Sequence, residues 1–152
     1  MNTNLENAVR LINSIRETSV SIATDSNPLA AHNGLITLTN LCHGLAARSG
    51  WWGGNGEPDP RDNPMCFSNK LCLIHSEVSE AMEGDRKSLK DDKLPHRDMR
   101  EVELADALVR ILDLAGAYNM DIAGAVIEKL AFNQQRADHK LENRLAEGGK
   151  SY

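Results

Sequence analysis

Two pairs of acidic residues stand three positions apart near the middle of the sequence. Glu77 and Glu80 form the first pair, and Glu103 and Asp106 form the second. Residues i and i+3 are neighbours on a helix surface, so two adjacent helices would bring four carboxylates into one patch. Four such anions repel one another unless cations neutralise them, and hard oxygen ligands select Mg²⁺, Mn²⁺ or Ca²⁺. The spacing alone fits a divalent metal site and solvated helix faces equally well.

The position of the first pair on its helix favours the metal site. At about 100° per residue, Glu77 and Glu80 both border one apolar arc, which consists of Leu71, Ile74, Val78 and Met82. Half-buried carboxylates are costly unless they are paired or bind a metal. In the second pair Asp106 borders apolar positions, whereas Glu103 lies further round the helix, near Arg110. A ferritin-like di-iron site is excluded, because no glutamate is followed by a histidine three positions later.

Capping signals mark the helices that must position these side chains. Thr3, Asn27, Asp98 and Asp121 each precede an apolar pattern of helical period. The predicted helices cover about 3–15, 28–49, 67–88, 98–117 and 121–138. Because no segment alternates like a strand, the fold class is predicted to be all-α, a single domain over residues 1–152 containing a bundle of about five helices.

The segments between and outside these helices carry their own predictions. Residues 50–66 are rich in Gly, Pro, Asn and Asp and are predicted to form a long loop, and loops of this length are usually either functional or disordered. Gly50 suits the end of the preceding helix. Residues 1–27 are interpreted as an N-terminal helical extension, and residues 141–152 as a flexible tail.

Composition excludes several classes of function. Aromatic residues make up 4% of the 152 residues, too few for the stacking surface of a single-strand nucleic-acid binder. A net charge of −5 disfavours a duplex binder that works through basic patches. No nucleic-acid polymer is therefore expected as a partner.

The cysteines and the apolar runs bear on localisation. Cys42, Cys66 and Cys72 are an odd number in no spaced framework, and we interpret them as buried thiols. No apolar run approaches the ~20 residues that cross a bilayer, and residues 1–4 lack a leader pattern. The sequence predicts a cytoplasmic protein that does not contact a membrane.

The acidic pairs together with their flanking residues resemble the MazG-like family of all-α nucleoside triphosphate pyrophosphohydrolases. The residues that carry the resemblance are 70–83 (KLCLIHSEVSEAME), 101–110 (EVELADALVR), and Lys129, Asn133 and Arg136 downstream. They match, in order, the family pattern of Glu-x-x-Glu, a spacer, Glu-x-x-Asp and a helix with Lys and Asn. The match covers roughly residues 45–140. The turn at 50–52 and the segment 92–97 resemble a branch found in phage and mobile elements.

The resemblance implies a reaction, a cofactor and an assembly. A nucleoside or deoxynucleoside triphosphate and water would give the monophosphate and pyrophosphate, with a role in clearing or adjusting nucleotide pools. Glu77, Glu80, Glu103 and Asp106 would hold Mg²⁺, for which Mn²⁺ would substitute, and one of them would orient the attacking water. The family fold also implies a homodimer, or a tetramer.

Substrate contacts follow from the same resemblance. Lys129, Asn133 and Arg136 share one helix face, on which Lys129 and Arg136 would bind phosphate oxygens and Asn133 would donate or accept a hydrogen bond. Arg110 would reach a phosphate or pair with Asp106. One ring of the adjacent Trp51 and Trp52, with Trp52 preferred, would stack on the base, the loop at 53–64 would close over it, and His43 would contact base or sugar. Core packing or a dimer contact is the alternative for the two tryptophans.

Two further interpretations stay open at this point. The first is a non-catalytic helical dimer, an interaction or regulatory module whose acidic stripes aid solubility. The second is a pyrophosphohydrolase that acts on another nucleotide derivative. The sequence does not distinguish ribose from deoxyribose or identify the base.

Overall fold

The computed structural model describes residues 3–18, 27–54 and 56–137, together with Lys140 and Asn143. Five α-helices account for most of this chain: α1 (Thr3–Thr18), α2 (Pro28–Arg48), α3 (Cys66–Lys87), α4 (Met99–Ala117) and α5 (Ile122–Gln135). A 3₁₀ turn spans Pro60–Asp62. The described residues form isolated bridges but no β-strand, which confirms the all-α prediction. The tail predicted over 141–152 lies outside the described residues, apart from Asn143.

The capping signals are confirmed at two of the predicted helix starts. Asn27 Oδ1 accepts hydrogen bonds from the backbone N–H groups of Leu29 and Ala30, and Asp121 Oδ1 accepts one from Gly124. Asp98 also stands at a helix start, but its carboxylate makes no capping hydrogen bond and accepts one from Lys90 Nζ instead. An ion pair across the loop before α4 thus takes the place of the capping hydrogen bond that was predicted for Asp98.

The chain divides into two compact units, which the single-domain prediction did not distinguish. One unit lies within Met1–Ile36 and Asp121–Tyr152, and the other is Thr37–Met120. In the first unit α1 packs on α5, and the shared core contains Leu5, Ala8, Ile127 and Ala131. Its small alanines allow the two helices to approach closely. The second unit contains both predicted acidic pairs.

In the second unit α3 and α4 pack as an antiparallel pair. Gly84 lies against Met99, while Glu77, two turns earlier on α3, bonds to Arg110 further along α4. The buried positions of α3 are Cys66, Glu77, Ala81 and Gly84. The apolar arc is oriented differently from the prediction, because Leu71, Val78 and Met82 are exposed. Small buried residues, Ala81 and Gly84, occupy the buried face of α3. The larger apolar side chains were predicted to occupy this face but are exposed instead.

The loop at 50–66 is built from hydrogen-bonded turns around a buried tryptophan. Gly50, with a φ of +84°, ends α2 as predicted. Arg61 anchors the loop to the end of α4, because its Nη1 donates to the carbonyl oxygen of Ala117 at 2.7 Å. Trp52 packs with three other buried residues, Cys66, Leu114 and Ala117. The loop is therefore tied to the helices at two points.

The three cysteines differ in their exposure to solvent. Cys42 and Cys66 are buried, but Cys72 is exposed, so its interpretation as a buried thiol is wrong. Within the described parts of the chain, no helix is long and apolar enough to cross a membrane.

Candidate metal centre and adjoining cavity

The contact between α3 and α4 brings three of the four predicted metal ligands together. Glu77, Glu80 and Glu103 each place one carboxylate oxygen within 4.8 Å of the others. Glu77 and Glu103 are only 6% and 8% exposed, whereas Glu80 is exposed. Buried carboxylates require a compensating charge, and all three offer the hard oxygen atoms that Mg²⁺ and Mn²⁺ prefer. We call these three residues the acidic cluster.

The second acidic pair is oriented opposite to the prediction. Glu103 is buried with Ala107 in the face of α4 that contacts α3, whereas Asp106 is exposed. Asp106 does not belong to the group within 4.8 Å, but its charge contributes to the electrostatics of Glu103. The prediction went wrong because it assumed that the larger apolar residues of α4 face the core.

The acidic cluster carries more negative charge than its surroundings neutralise. Burial, the contact with the Glu77 carboxyl group, and the charges of Glu80, Glu77 and Asp106 raise the pKa of Glu103 from its usual 4.5 to about 7. Below this pH a proton on Glu103 would offset part of the negative charge of the cluster. A divalent ion that binds here would displace this proton.

Arg110 supplies the one positive charge that touches the cluster among the described residues. Its Nε donates to Oε1 of Glu77 at 2.6 Å, which joins residues 33 positions apart. The predicted alternative pairing with Asp106 is not formed. Arg110 is 43% exposed in its side chain and also lines a neighbouring cavity. It therefore connects the acidic cluster to that cavity.

The cavity has a volume of about 620 Å³ and lies wholly within the second unit. One wall is apolar and comes from α2, where it includes Leu38, Leu41 and Leu45. The polar side chains on the other wall come from α3 and α4 and are Lys70, Asp106, Arg110 and Asp113. Ligand sites in proteins commonly combine an apolar lining with a few convergent polar groups. This cavity therefore combines an apolar wall with two cationic and two anionic side chains.

The adjacent tryptophans have different environments. Trp51 is 66% exposed and lines the cavity. Trp52 is 7% exposed, and its indole N–H donates to Oδ1 of Asp113 at 2.7 Å. Lys70 Nζ lies 4.4 Å from the centroid of the Trp52 ring and 5.9 Å from that of Trp51. Trp52, the ring preferred for stacking, is thus packed into the core, and Trp51 is the ring that the fold leaves open to a ligand.

His43 is held by the core beside Trp52. Its Nδ1 lies 3.0 Å from Oδ1 of Asp113, and its ring meets Trp52 edge-on at 5.8 Å. Gly116 makes this placement possible, because a Cβ atom at that position would stand 2.5 Å from Cβ of His43. His43 is not among the residues that line the cavity, so its predicted contact with base or sugar is not seen here.

The three residues predicted on the last helix belong to the first unit. Lys129 Nζ lies 4.8 Å from the centroid of the Phe132 ring, and Oδ1 of Asn133 is buried with no hydrogen-bond partner among the described residues. Arg136 follows the last residue of α5, in extended backbone. Their predicted contact with phosphate stays a prediction.

Sequence reasoning missed two polar residues of the cavity. Lys70 stands seven residues before Glu77, and Asp113 stands seven residues after Asp106. A spacing of seven is two helical turns, which returns a side chain to nearly the same face. This spacing is the signal that would have identified both.

Comparisons of the chain with models of known protein families, with curated protein sequences and with solved structures found no match.

Proposed function

We propose that the protein is a Mg²⁺-dependent pyrophosphohydrolase that converts nucleoside or deoxynucleoside triphosphates to the monophosphate and pyrophosphate. The observation that carries this proposal is the acidic cluster, connected through Arg110 to a cavity with cationic and aromatic side chains. The resemblance of residues 70–83 and 101–110 to the MazG-like family points to the same reaction. A role in clearing unwanted nucleotides follows from that activity.

The donor set of the acidic cluster fits a divalent hard cation. Glu77, Glu80 and Glu103 would hold it, and Asp106 would stand beside them at the edge of the cavity. The raised pKa of Glu103 is consistent with this assignment, because it reflects the burial of the carboxyl group and, after that, its contact with Glu77 and the neighbouring negative charges of Glu80, Glu77 and Asp106. Bound Mg²⁺ would supply charge neutralisation for the leaving pyrophosphate and a lower pKa for the attacking water.

The residues of the cavity would position the rest of the substrate. Phosphoryl transfer requires mainly positioning and charge stabilisation, and Lys70 and Arg110 offer cationic groups to the phosphate oxygens. The exposed ring of Trp51 would stack on the base, with the leucines of α2 behind it. Arg110 would leave Glu77 when a metal ion takes over the neutralisation of that carboxylate.

We further propose that the protein acts as a homo-oligomer. On α3 and α4 a single chain leaves several apolar side chains exposed outside the cavity, namely Leu71, Val78, Met82, Leu104 and Leu108. Large contiguous apolar patches commonly mark protein interfaces. A second copy of the chain would cover these residues, in agreement with the dimer that the family resemblance implies.

The direct test is pyrophosphate release from a panel of the common ribo- and deoxynucleoside triphosphates, with Mg²⁺ or Mn²⁺. We expect at least one to be hydrolysed to its monophosphate, with no turnover in the presence of excess chelator. If neither ion supports turnover of any member of the panel, the enzyme assignment fails. A second panel of nucleotide derivatives that contain a phosphoanhydride bond separates the two enzyme interpretations.

A thermal-shift titration with Mg²⁺ distinguishes the two enzyme interpretations from a non-catalytic helical dimer. A ligand that binds only the folded state raises its stability, so Mg²⁺ should raise the melting temperature if the acidic cluster binds it. The non-catalytic interpretation predicts no such rise.

A further inference from the structure

Asp113 is a mostly buried carboxylate on the wall of the cavity, and one of its two oxygen atoms bonds to residues of the core. Its Oδ1 accepts from Trp52 Nε1 at 2.7 Å and lies 3.0 Å from His43 Nδ1. Only 13% of its side chain is exposed, and Asp113 is one of the residues that line the cavity. A carboxylate in such a position needs hydrogen bonds to both oxygen atoms.

The second oxygen of this carboxylate has no protein partner in the described part of the chain. The contacts with Trp52 and His43 both involve Oδ1. Oδ2 is also not among the fully buried atoms that lack a partner, so solvent or a ligand reaches it. The fold thus fixes the orientation of Asp113 through Oδ1 and leaves an anionic acceptor available to the cavity at Oδ2.

The position of Asp113 along α4 places it away from the proposed phosphate end. Asp106, Arg110 and Asp113 all line the cavity, and they follow one another at intervals of four and three residues on one helix face. At 1.5 Å per residue, Asp113 lies about 10 Å along the helix axis from Asp106. A sugar and a base together bridge a gap of this size. Asp113 is not among the proposed metal ligands, so no cation would offset its repulsion of phosphates, and the group it would face is the base.

We propose that Asp113 reads the base of the substrate and selects bases that carry an amino group at the position where uracil and hypoxanthine carry a carbonyl oxygen. This inference rests on the proposed function, since it assumes that the cavity holds a nucleotide whose phosphates lie near Asp106 and Arg110. An amino group offers N–H donors to Oδ2. The N3–H of uracil or thymine is flanked on both sides by carbonyl oxygens, which would be brought against the anion. Cytosine and adenine nucleotides are therefore favoured over their carbonyl counterparts.

The test compares matched pairs of nucleotides that differ at this group. Calorimetric dissociation constants are measured with Mg²⁺ for deoxycytidine against deoxyuridine monophosphate, and for deoxyadenosine against deoxyinosine monophosphate. Because a hydrogen bond to a charged group is worth about 1.5–3 kcal/mol, we expect the amino member of a pair that fits the cavity to bind about 10- to 100-fold more tightly.

The variant Asp113→Asn separates recognition from the structural role. Its amide oxygen would still accept from Trp52 and His43, while the amide N–H₂ would replace Oδ2 and present donors to the cavity. We expect the preference for the amino base to be lost or inverted, with little change in melting temperature. Asp92→Asn, an exposed substitution of the same type in the loop after α3, should leave the preference unchanged.

Equal dissociation constants within both pairs for the wild-type protein would overturn the inference, even if Asp113→Asn is unstable. A preference for the amino base that persists in a folded Asp113→Asn would also overturn it. Binding of none of the four monophosphates overturns it as well. Pyrophosphate release from deoxycytidine and deoxyuridine triphosphates is measured on the same preparations. Turnover without base preference overturns this inference alone, whereas base-dependent binding without turnover overturns the proposed reaction alone.

Discussion

Arg110 forms an ion pair with Glu77 across the contact between α3 and α4, with Nε donating to Oε1 at 2.6 Å. Glu77 is 6% exposed, so this guanidinium compensates a carboxylate that has little access to water. The same guanidinium lines the cavity. Arg110 therefore stabilises the metal-free protein at the position where we propose that a cation binds.

The first prediction concerns this pair. Arg110→Ala should lower the free energy of unfolding in chelator by about 1–3 kcal/mol, because it leaves the Glu77 acceptor buried without its partner. Mg²⁺ should then stabilise the variant more than it stabilises the wild type. Denaturant unfolding with and without Mg²⁺ measures both effects. Arg100→Ala is the control, since Arg100 pairs with the exposed Asp85 and surface pairs contribute only about 0–1 kcal/mol. Equal responses of the two variants would contradict the prediction.

The second prediction concerns pH. The pKa of Glu103 is raised from 4.5 to about 7, chiefly by burial, so between these values the folded state holds a proton that the unfolded state releases. Stability in chelator should therefore fall as pH rises from about 4.5 to about 7. Glu103→Gln should remove this part of the pH dependence, and saturating Mg²⁺ should reduce it, because the ion replaces the proton. Melting temperatures across this pH range provide the measurement.

Glu101→Gln is the matched control for the pH experiment. Glu101 lies on the same helix, is exposed and pairs with Arg97. Glu101→Gln should therefore leave unchanged the fall in stability between pH 4.5 and 7. If Glu103→Gln shows the same decline as the wild type, the raised pKa is not the source of it.

The third prediction tests the proposed metal ligands through turnover. Glu80→Gln should reduce pyrophosphate release at least about 100-fold, because loss of even an outer partner of a metal ligand costs 10- to 100-fold. The fold should be retained, since Glu80 is exposed. Glu83→Gln, one turn further along α3, is the control, because Glu83 pairs with Arg86 and Lys87 outside the cluster. Equal activity in the two variants would remove Glu80 from the site.

The helices of this fold were predictable because their signals are local. Asn27 and Asp121 cap the helices that they were predicted to open, and α3 and α4 begin and end within one residue of the predicted positions. The convergence of the two acidic motifs also followed, because helix spacing and a short connection bring them together.

The orientation of α3 was not predictable from its apolar arc. Ala81 and Gly84 face α4, and the larger apolar residues remain exposed in a single chain. A helical wheel assigns large side chains to the core, but close packing of small residues decides the contact here. The hydrogen bond from Trp52 to Asp113 joins residues 61 positions apart, and only the tertiary fold shows which tryptophan is buried.

The fourth prediction concerns the exposed apolar residues. Leu104 on α4 is 56% exposed in the single chain, and Leu104→Glu would place a charge in the proposed interface between copies, where an unpaired charge is costly to bury. Light scattering after size-exclusion chromatography should show a dimer for the wild type and a monomer for the variant. Leu94→Glu is the control, because Leu94 is 43% exposed in the loop before α4. A wild-type monomer at micromolar concentration would contradict the proposed assembly.

The fifth prediction concerns the close approach of α2 and α4 at Gly116. A methyl group on Gly116 would stand 2.5 Å from Cβ of His43, so Gly116→Ala should displace His43 from Asp113 and destabilise the protein by about 1–3 kcal/mol. Gly34→Ala is a matched control on α2, where an added Cβ meets nothing within 4 Å. Helix propensity alone should make that variant about 0.5–1 kcal/mol more stable. Denaturant unfolding should therefore show a lower free energy of unfolding for Gly116→Ala and a higher one for Gly34→Ala, because Gly116, unlike Gly34, lies at a helix contact. Stabilisation of both variants would contradict the prediction and would show that α2 can move away from α4.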